Sequence, residues 1–247
     1  MGLAADKTSR EGVFMKKSNS YGQFCAVARA AELVASRWTP LILRELLAGS
    51  YKFNDLRAGL PLISPSLLSK RLLELSEAGI IEKRAGLRGR RGYEYHLTPS
   101  GQELGPIIEK LGVWGQKFVL GEFEKHELDP SLLMWDIHRR IETSLFPEDG
   151  RFVAEFFLKG APKERRNWWL VIKNREVDLC VHSPGYEIDI SIEANIKALT
   201  EVWMGARTME DAKKKDLLKL SGSNQYVRSF KKWFLLSPLA PAHPNKV

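Results

Sequence analysis

Hydrophobic positions along this chain switch between a helical and a strand period, and the switches mark its elements. Over residues 26–36 the apolar positions Val27, Ala30, Ala31 and Val34 recur at helical steps and predict a first helix with these residues on one face. Arg37-Trp38-Thr39-Pro40 interrupts it. Thr39 suits an N-cap and Pro40 a first helical residue, because proline has no N–H to leave unpaired there. The second helix then continues from Leu41 and stops at Gly49. A short third helix is predicted over 52–58 with Phe53 and Leu56 inward. In the fourth, Ser64 caps, Pro65 opens and Gly79 closes; Leu68, Leu72 and Leu75 form the inward stripe, while Ser66, Ser69, Lys70 and Glu74 point elsewhere. Ile80, Ile81, Lys83 and Arg84 read as a strand, and Tyr93, Tyr95 and Leu97 as its alternating partner. The turn between them, Gly86 to Gly92, carries Arg88, Arg90 and Arg91 among three glycines.

Beyond Thr98, Leu104, Ile108, Leu111 and Phe118 return to helical spacing, with Ile107 and Trp114 alongside. Gly105, Gly112 and Gly115 weaken that helix in isolation and permit close approach of a partner. Its apolar face suits either a second copy or the rest of the same chain. Residues 121–130 are charged, end in Asp129-Pro130 and read as a linker. The remainder predicts a helix over 131–142, strands over 151–158, 168–173, 177–181 and 188–192, then helices over 194–203, 209–215 and 224–233. Strands followed by helices imply an α+β arrangement with one sheet face covered.

A helical trio followed by a cationic hairpin is the layout of a winged helix, and that layout names a partner class. The helix at 64–78 would enter the major groove of duplex DNA by its N-terminal end. Ser64, Ser66, Ser69, Lys70 and Arg71 are its candidate contacts. Arg88, Arg90 and Arg91 would supply phosphate or minor-groove contacts, and the glycines let the turn come close. The alternative for the turn is a solvated basic hairpin.

Charge sharpens this. The 247 residues carry a net +8. Residues 21–120 hold 14 Lys/Arg against 9 Asp/Glu, a net of +5, whereas 121–247 hold 20 against 19. The excess sits with the DNA-reading layout, and Lys213-Lys214-Lys215 reads as a solvated helix face. Two distant cysteines make neither a disulfide framework nor a metal site. The five histidines lack zinc spacing, and no nucleophile elbow, phosphate loop or dinucleotide fingerprint is present. A cytoplasmic, non-enzymatic protein with no cofactor and no membrane partner is expected.

The motifs Arg37-Trp38-Thr39-Pro40-Leu41-Ile42-Leu43-Arg44-Glu45-Leu46, Phe53-Asn54-Asp55-Leu56, Ile63-Ser64-Pro65-Ser66-Leu67-Leu68-Ser69-Lys70-Arg71-Leu72, Glu77-Ala78-Gly79-Ile80-Ile81 and Tyr95-His96-Leu97-Thr98-Pro99-Ser100-Gly101 resemble the HxlR family of bacterial winged-helix regulators. The resemblance spans about 21–118. It implies a homodimer on an inverted-repeat operator, a recognition helix at 64–78, a wing at 85–92, and dimer helices before Trp38 and after Thr98. Several relatives keep a redox-sensing cysteine where Cys25 stands, and a thiol at a helix N-terminus is acidified; a small packed residue is the other reading, and the proline usual after that cysteine is Ala26 here. The second half, through Trp168-Trp169-Leu170-Val171-Ile172, Glu176-Val177-Asp178-Leu179-Cys180 and Gly185-Tyr186-Glu187-Ile188-Asp189-Ile190, is similar to sterol-carrier-like domains. That likeness implies an apolar tunnel for a hydrophobic effector, for which Phe157, Trp168, Leu170, Leu179, Ile190, Trp203 and Met204 are the candidates; the same residues also suit an ordinary core. The implied organisation is a tail at 1–20, a DNA-binding and dimerisation domain at 21–120, a linker at 121–130, a ligand domain at 131–240 and a tail at 241–247.

Overall fold

The computed structural model describes residues 20–86 and 92–242. The chain forms two compact units, divided between Ile108 and Glu109. No helix among the described residues is long and apolar enough to cross a membrane.

The first unit holds α1 (Ala26–Val34), α2 (Thr39–Leu47), α3 (Phe53–Gly59), α4 (Pro65–Glu77), β1 (Ile81–Ala85), β2 (Tyr93–Leu97), α5 (Pro99–Gln102) and the start of α6 (Gly105–Phe118). Ile42, Leu43, Leu46, Leu56, Leu68, Leu72 and Leu75 make its core, closed by Ile63, Ile80 and Ile81. The hairpin is antiparallel with Ile81 opposite Leu97 and Ala85 opposite Tyr93. The Thr98 hydroxyl donates to the Gly79 (2.7 Å) and Ile80 (3.1 Å) carbonyls, pinning the end of β2 to the end of α4.

The entry to α2 differs from expectation, and α1 shows a mixed face. On α1, Val27 and Ala30 are exposed, while Val34 of the same predicted face, with Leu33, turns to the core. The buried residue of this helix is Glu32, whose carboxylate accepts from the Ser20 hydroxyl (2.8 Å) and the Tyr21 amide (2.6 Å). Thr39 is not a cap but the first helical residue. Trp38 takes the N-cap position with φ 78°, a left-handed conformation rare for a bulky side chain.

Glu45 organises a polar clasp inside this unit. Its carboxylate is fully buried and accepts from the Arg44 guanidinium (2.8 Å) and the Ser50 hydroxyl (3.1 Å). Arg44 also donates to the Gly59 carbonyl at 3.0 Å. One charge therefore joins α2, the turn after it and the end of α3. A Cβ at Gly59 would overlap the Glu45 carboxylate, which would have to shift out of its clasp to admit a larger residue.

The second unit holds the rest of α6, α7 (Pro130–His138), β3 (Arg151–Lys159), β4 (Asn167–Lys173), β5 (Glu176–Cys180), β6 (Ile190–Asn195), α8 (Ile196–Trp203), α9 (Met209–Lys214), β7 (Leu218–Gly222) and α10 (Asn224–Trp233). The five strands run in the order β5-β4-β3-β6-β7. β3 is parallel to β6 and antiparallel to β4. Phe152, Ala154, Phe156 and Leu158 of β3 face a single core with Met134, Ile137, Leu199, Trp203, Phe230 and Trp233 from the helices. The opposite face carries Val153, Glu155 and Phe157 by the two-residue alternation. The Asn174-Arg175 turn between β4 and β5 has both residues at positive φ, the conformation a two-residue hairpin requires.

Here α7 ends at His138, not Glu142, because Ile141 pairs with Phe234 in a bridge. Asp189 is diverted to the Val153 backbone, so β6 begins at Ile190 and runs on to Asn195, which caps α8. β7 is an edge strand that periodicity alone does not reveal. The 121–130 stretch is ordered by a 3-10 turn at Lys125–Glu127, and Asp129 caps α7.

Gly59→Ala should cost the first unit about 1–3 kcal/mol through overpacking at the clasp. Urea unfolding followed by circular dichroism measures it, and an unchanged first transition would remove Glu45 from its organising role.

Candidate nucleic-acid interface

α4 is positioned from three directions. Ser64 caps it, accepting from the Leu67 amide at 3.3 Å, and Pro65 occupies its first position. Leu60 and Ile63 are buried and anchor the loop that leads in, while Leu62 between them is exposed. Leu68, Leu72 and Leu75 seal the inner face.

With that face sealed, the helix can show only one stripe to solvent. Ser66, Ser69, Lys70 and Leu73 fall at steps of three and four and are all exposed, as is the capping Ser64. Two hydroxyls, an ammonium and an apolar tip form a surface able to hydrogen-bond base edges or phosphates and to meet a thymine methyl. Sequence reasoning identified Ser64, Ser66, Ser69 and Lys70 but passed over Leu73. Its signal was present: Leu73 is out of phase with Leu68, Leu72 and Leu75.

Arg71 is placed differently. It is mostly buried, its guanidinium binds Glu74 at 2.6 Å, and its Nε has no hydrogen-bond partner among the described residues. It lies beside the exposed stripe and is held by its own helix. Lys70 approaches the same carboxylate only to 3.9 Å and remains two-thirds exposed. On the hairpin, Lys83 lies over the Tyr93 ring at 3.8 Å, and Arg84 pairs with Glu82, whose carboxyl is held below the usual range by that bond. Arg88, Arg90 and Arg91 lie outside the described residues.

Cys25 occupies the N-cap of α1 and is exposed. Its side chain makes no capping hydrogen bond, but the nearby Ala28 and Val27 backbone amides lower its thiol pKa. Cys180 on β5 is shifted upward by burial. No group of His, Cys, Asp and Glu among the described residues could hold a metal ion.

Of the seven candidate effector residues, Trp168, Leu170, Leu179, Ile190, Trp203 and Met204 belong to the one core of the second unit. Leu179, Leu170, Ala154 and Ile190 form a single row across four strands. Phe157 does not join them. It pairs with Asn167 and Glu193 on the other sheet face, because its parity along β3 is opposite to that of Phe156. Elsewhere in this unit an open cleft of about 690 Å³ is lined by Leu120, Phe123, Asn195, Lys197, Glu201 and Arg207, among others, and by none of the seven.

A capped helix with one face sealed and the other offered to solvent, followed by an antiparallel hairpin, defines a helix-turn-helix DNA-binding protein. The family model for HxlR-like helix-turn-helix proteins matches residues 33–122. The Bacillus subtilis transcriptional regulator YvaP is 32% identical over 105 residues, covering 42% of this chain and 89% of its own. A Mycobacterium tuberculosis helix-turn-helix regulator, Rv3095, is 38% identical over 94 residues, covering 38% of this chain and 59% of its own. The solved structure of the reduced transcriptional regulator YodB from Bacillus subtilis shares 28% identity over 39% of this chain and 96% of its own, with a TM-score of 0.35. The chain belongs to the HxlR family of helix-turn-helix transcriptional regulators, a non-enzymatic class of DNA-binding proteins.

Two measurements follow. Ser64→Ala should lower the stability of the first unit by about 1 kcal/mol, with Ser64→Asp close to wild type, because a carboxylate caps as well as a hydroxyl; equal loss in both would remove the cap. Alkylation of Cys25 by iodoacetamide should reach half-maximal rate at a pH below that of an ordinary cysteine, since the thiolate is the species the amides favour. A midpoint at or above the ordinary value contradicts this.

Proposed function

We propose that this regulator works as a homodimer on an inverted-repeat operator, each copy laying the N-terminal part of α4 into a major groove. The observation that carries this is the exposed stripe Ser66, Ser69, Lys70 and Leu73 opposite the sealed leucines. The 85–92 tip, with Arg88, Arg90 and Arg91, acts as the wing and grips flanking phosphates. That assignment rests on sequence resemblance.

Unpaired apolar surface supports the dimer. Phe24 and Val27 are exposed at the start of the chain, and Ile107, Leu111, Trp114 and Phe118 form an exposed row along α6. Contiguous apolar surface of this kind marks an interaction site. A two-fold dimer would present two α4 helices to half-sites one helical turn apart.

For the second unit the reading is a sterol-carrier-like module that takes a hydrophobic small molecule. The five-stranded sheet with its core and helices on one face agrees with that likeness. Leu179 and Met204 are only partly buried at the core margin, where entry would be easiest. A ligand binding one dimer geometry more tightly than another would shift operator affinity by that difference. A thiol switch is a second reading, favoured by the exposed, acidified Cys25.

Ser69→Ala combined with Lys70→Ala should weaken operator binding about 10-fold or more, since groove contacts are worth roughly 1–3 kcal/mol each. Fluorescence anisotropy measures it, and unchanged affinity would displace α4 from the groove. Trp114→Glu should convert a dimer into a monomer in analytical ultracentrifugation; a dimer that persists places the interface elsewhere. Native mass spectrometry of the purified chain tests the ligand, and operator release by mild oxidant that Cys25→Ser abolishes would select the thiol switch.

A further inference from the structure

The near-neutral charge of the second half conceals a strong separation. Residues 176–201 hold six acidic side chains against Lys197 alone, whereas 210–232 hold seven Lys/Arg against three acidic residues. The sorting is partial: Glu193 on β6 lies opposite Lys219 of β7, while two of the acids sit at the far edge. Glu176 and Asp178 lie on β5, one edge of the sheet, and β7 is the other edge. Both α9 and α10 pack against β7.

Ion pairing then decides which cations are available. Lys215 pairs with Asp211 at 3.0 Å and Lys219 with Asp216 at 3.5 Å. Lys231 of α10 pairs with Glu210 of α9, which places the two helices side by side. Lys213 and Lys214 follow Glu210 by three and four residues on α9, and Arg228 precedes Lys231 by one turn on α10, with Lys232 next to it. Helical geometry therefore gathers Lys213, Lys214, Arg228 and Lys232 around the Glu210–Lys231 pair. All four are exposed and none has an ion-pair partner among the described residues.

We propose that the rim formed by α9, α10 and the β7 edge is a second, sequence-independent contact for duplex DNA. It rests on the DNA-reading role of the first unit. Four unpaired cations on two adjacent helices match a row of phosphates. A duplex held by α4 of the same chain is presented to this rim at raised effective concentration, which selects DNA over other polyanions. Its contribution is electrostatic and so depends on salt: each phosphate neutralised adds about 0.9 to the slope of log affinity against log salt.

The test is fluorescence anisotropy of the full chain on a fluorescein-labelled 40-base-pair duplex of random sequence, between about 50 and 200 mM KCl, the range over which phosphate contacts dominate affinity. The variant K213Q/K214Q/R228Q/K232Q should flatten the slope by about 2 to 4 and weaken binding at the lowest salt by 10-fold or more. E210Q should act in the opposite direction, releasing Lys231 and steepening the slope by about 1. This gain does not depend on a variant that loses function. Wild-type slopes in both variants overturn the rim while leaving the α4 reading intact. Absence of any duplex binding by the wild type overturns both. Equal binding of wild type and quadruple variant to DNA, with loss only on phosphatidylglycerol vesicles, assigns the rim to a lipid surface and overturns the proposal.

Discussion

Leu68, Leu72 and Leu75 are removed from water in one cluster with Ile42, Leu43, Leu46 and Leu56. Burying three such side chains is worth roughly 5–9 kcal/mol, an upper value because the unfolded chain already hides part of them. That energy fixes the roll of α4 about its own axis. A turn of the helix by one residue would drag either Arg71 and Glu74 or Ser69 and Ser76 into the leucine cluster, where buried charges or unpaired hydroxyls cost more than any polar contact they could recover. The displayed stripe is thus the complement of the buried one. Translation is fixed separately, by Ser64 and Pro65 at one end and by the Glu45 clasp that holds Gly59 upstream.

The second unit solves a different problem. A sheet with helices on one face leaves the other to be managed, and here the segment joining β5 to β6 runs across it. Cys180 and Ile190 lie at almost the same level of the sheet, on strands separated by β4 and β3, so residues 181–189 must pass those two strands to join them. Along the way the Tyr186 ring sits 3.5 Å beneath the Arg151 guanidinium. Val153, Trp169 and Val171 are buried on that face, yet the Trp169 indole N–H has no hydrogen-bond partner among the described residues.

Local rules made the helices of the first unit legible. Ser64-Pro65 and the glycines at 49 and 79 act through a single residue's geometry, so position alone reveals them. Patterns that depend on what lies opposite were harder. Val27 and Ala30 have helical spacing but face outward, because apolar periodicity marks a face without saying what covers it. The run from Leu218 to Gly222 alternates over only five residues beside a lysine-rich helix, too short to stand out as a strand. Phe157 misled through parity: adjacent to Phe156, it belongs to the other side of the sheet. Arg71 reads as a free cation until Glu74, one turn on, is seen to hold it. The charge count failed for a similar reason, since summing over 127 residues cancelled two regions of opposite sign.

Trp38 joins α1 to α2 in a conformation that L-residues with large side chains avoid, at a cost of about 1–2 kcal/mol. Its indole packs against the leucine core, and the Arg37 guanidinium lies 5.5 Å from the ring centre. The unfavourable backbone is therefore kept by the anchorage of the ring. If the indole withdrew, the residue would be free to relax toward the ordinary right-handed region, yet Pro40, which cannot sit inside a continuous helix, would still keep α1 and α2 apart. The angle at this elbow is thus set by the seating of one ring in the interior, while the break itself is secured by the proline that follows.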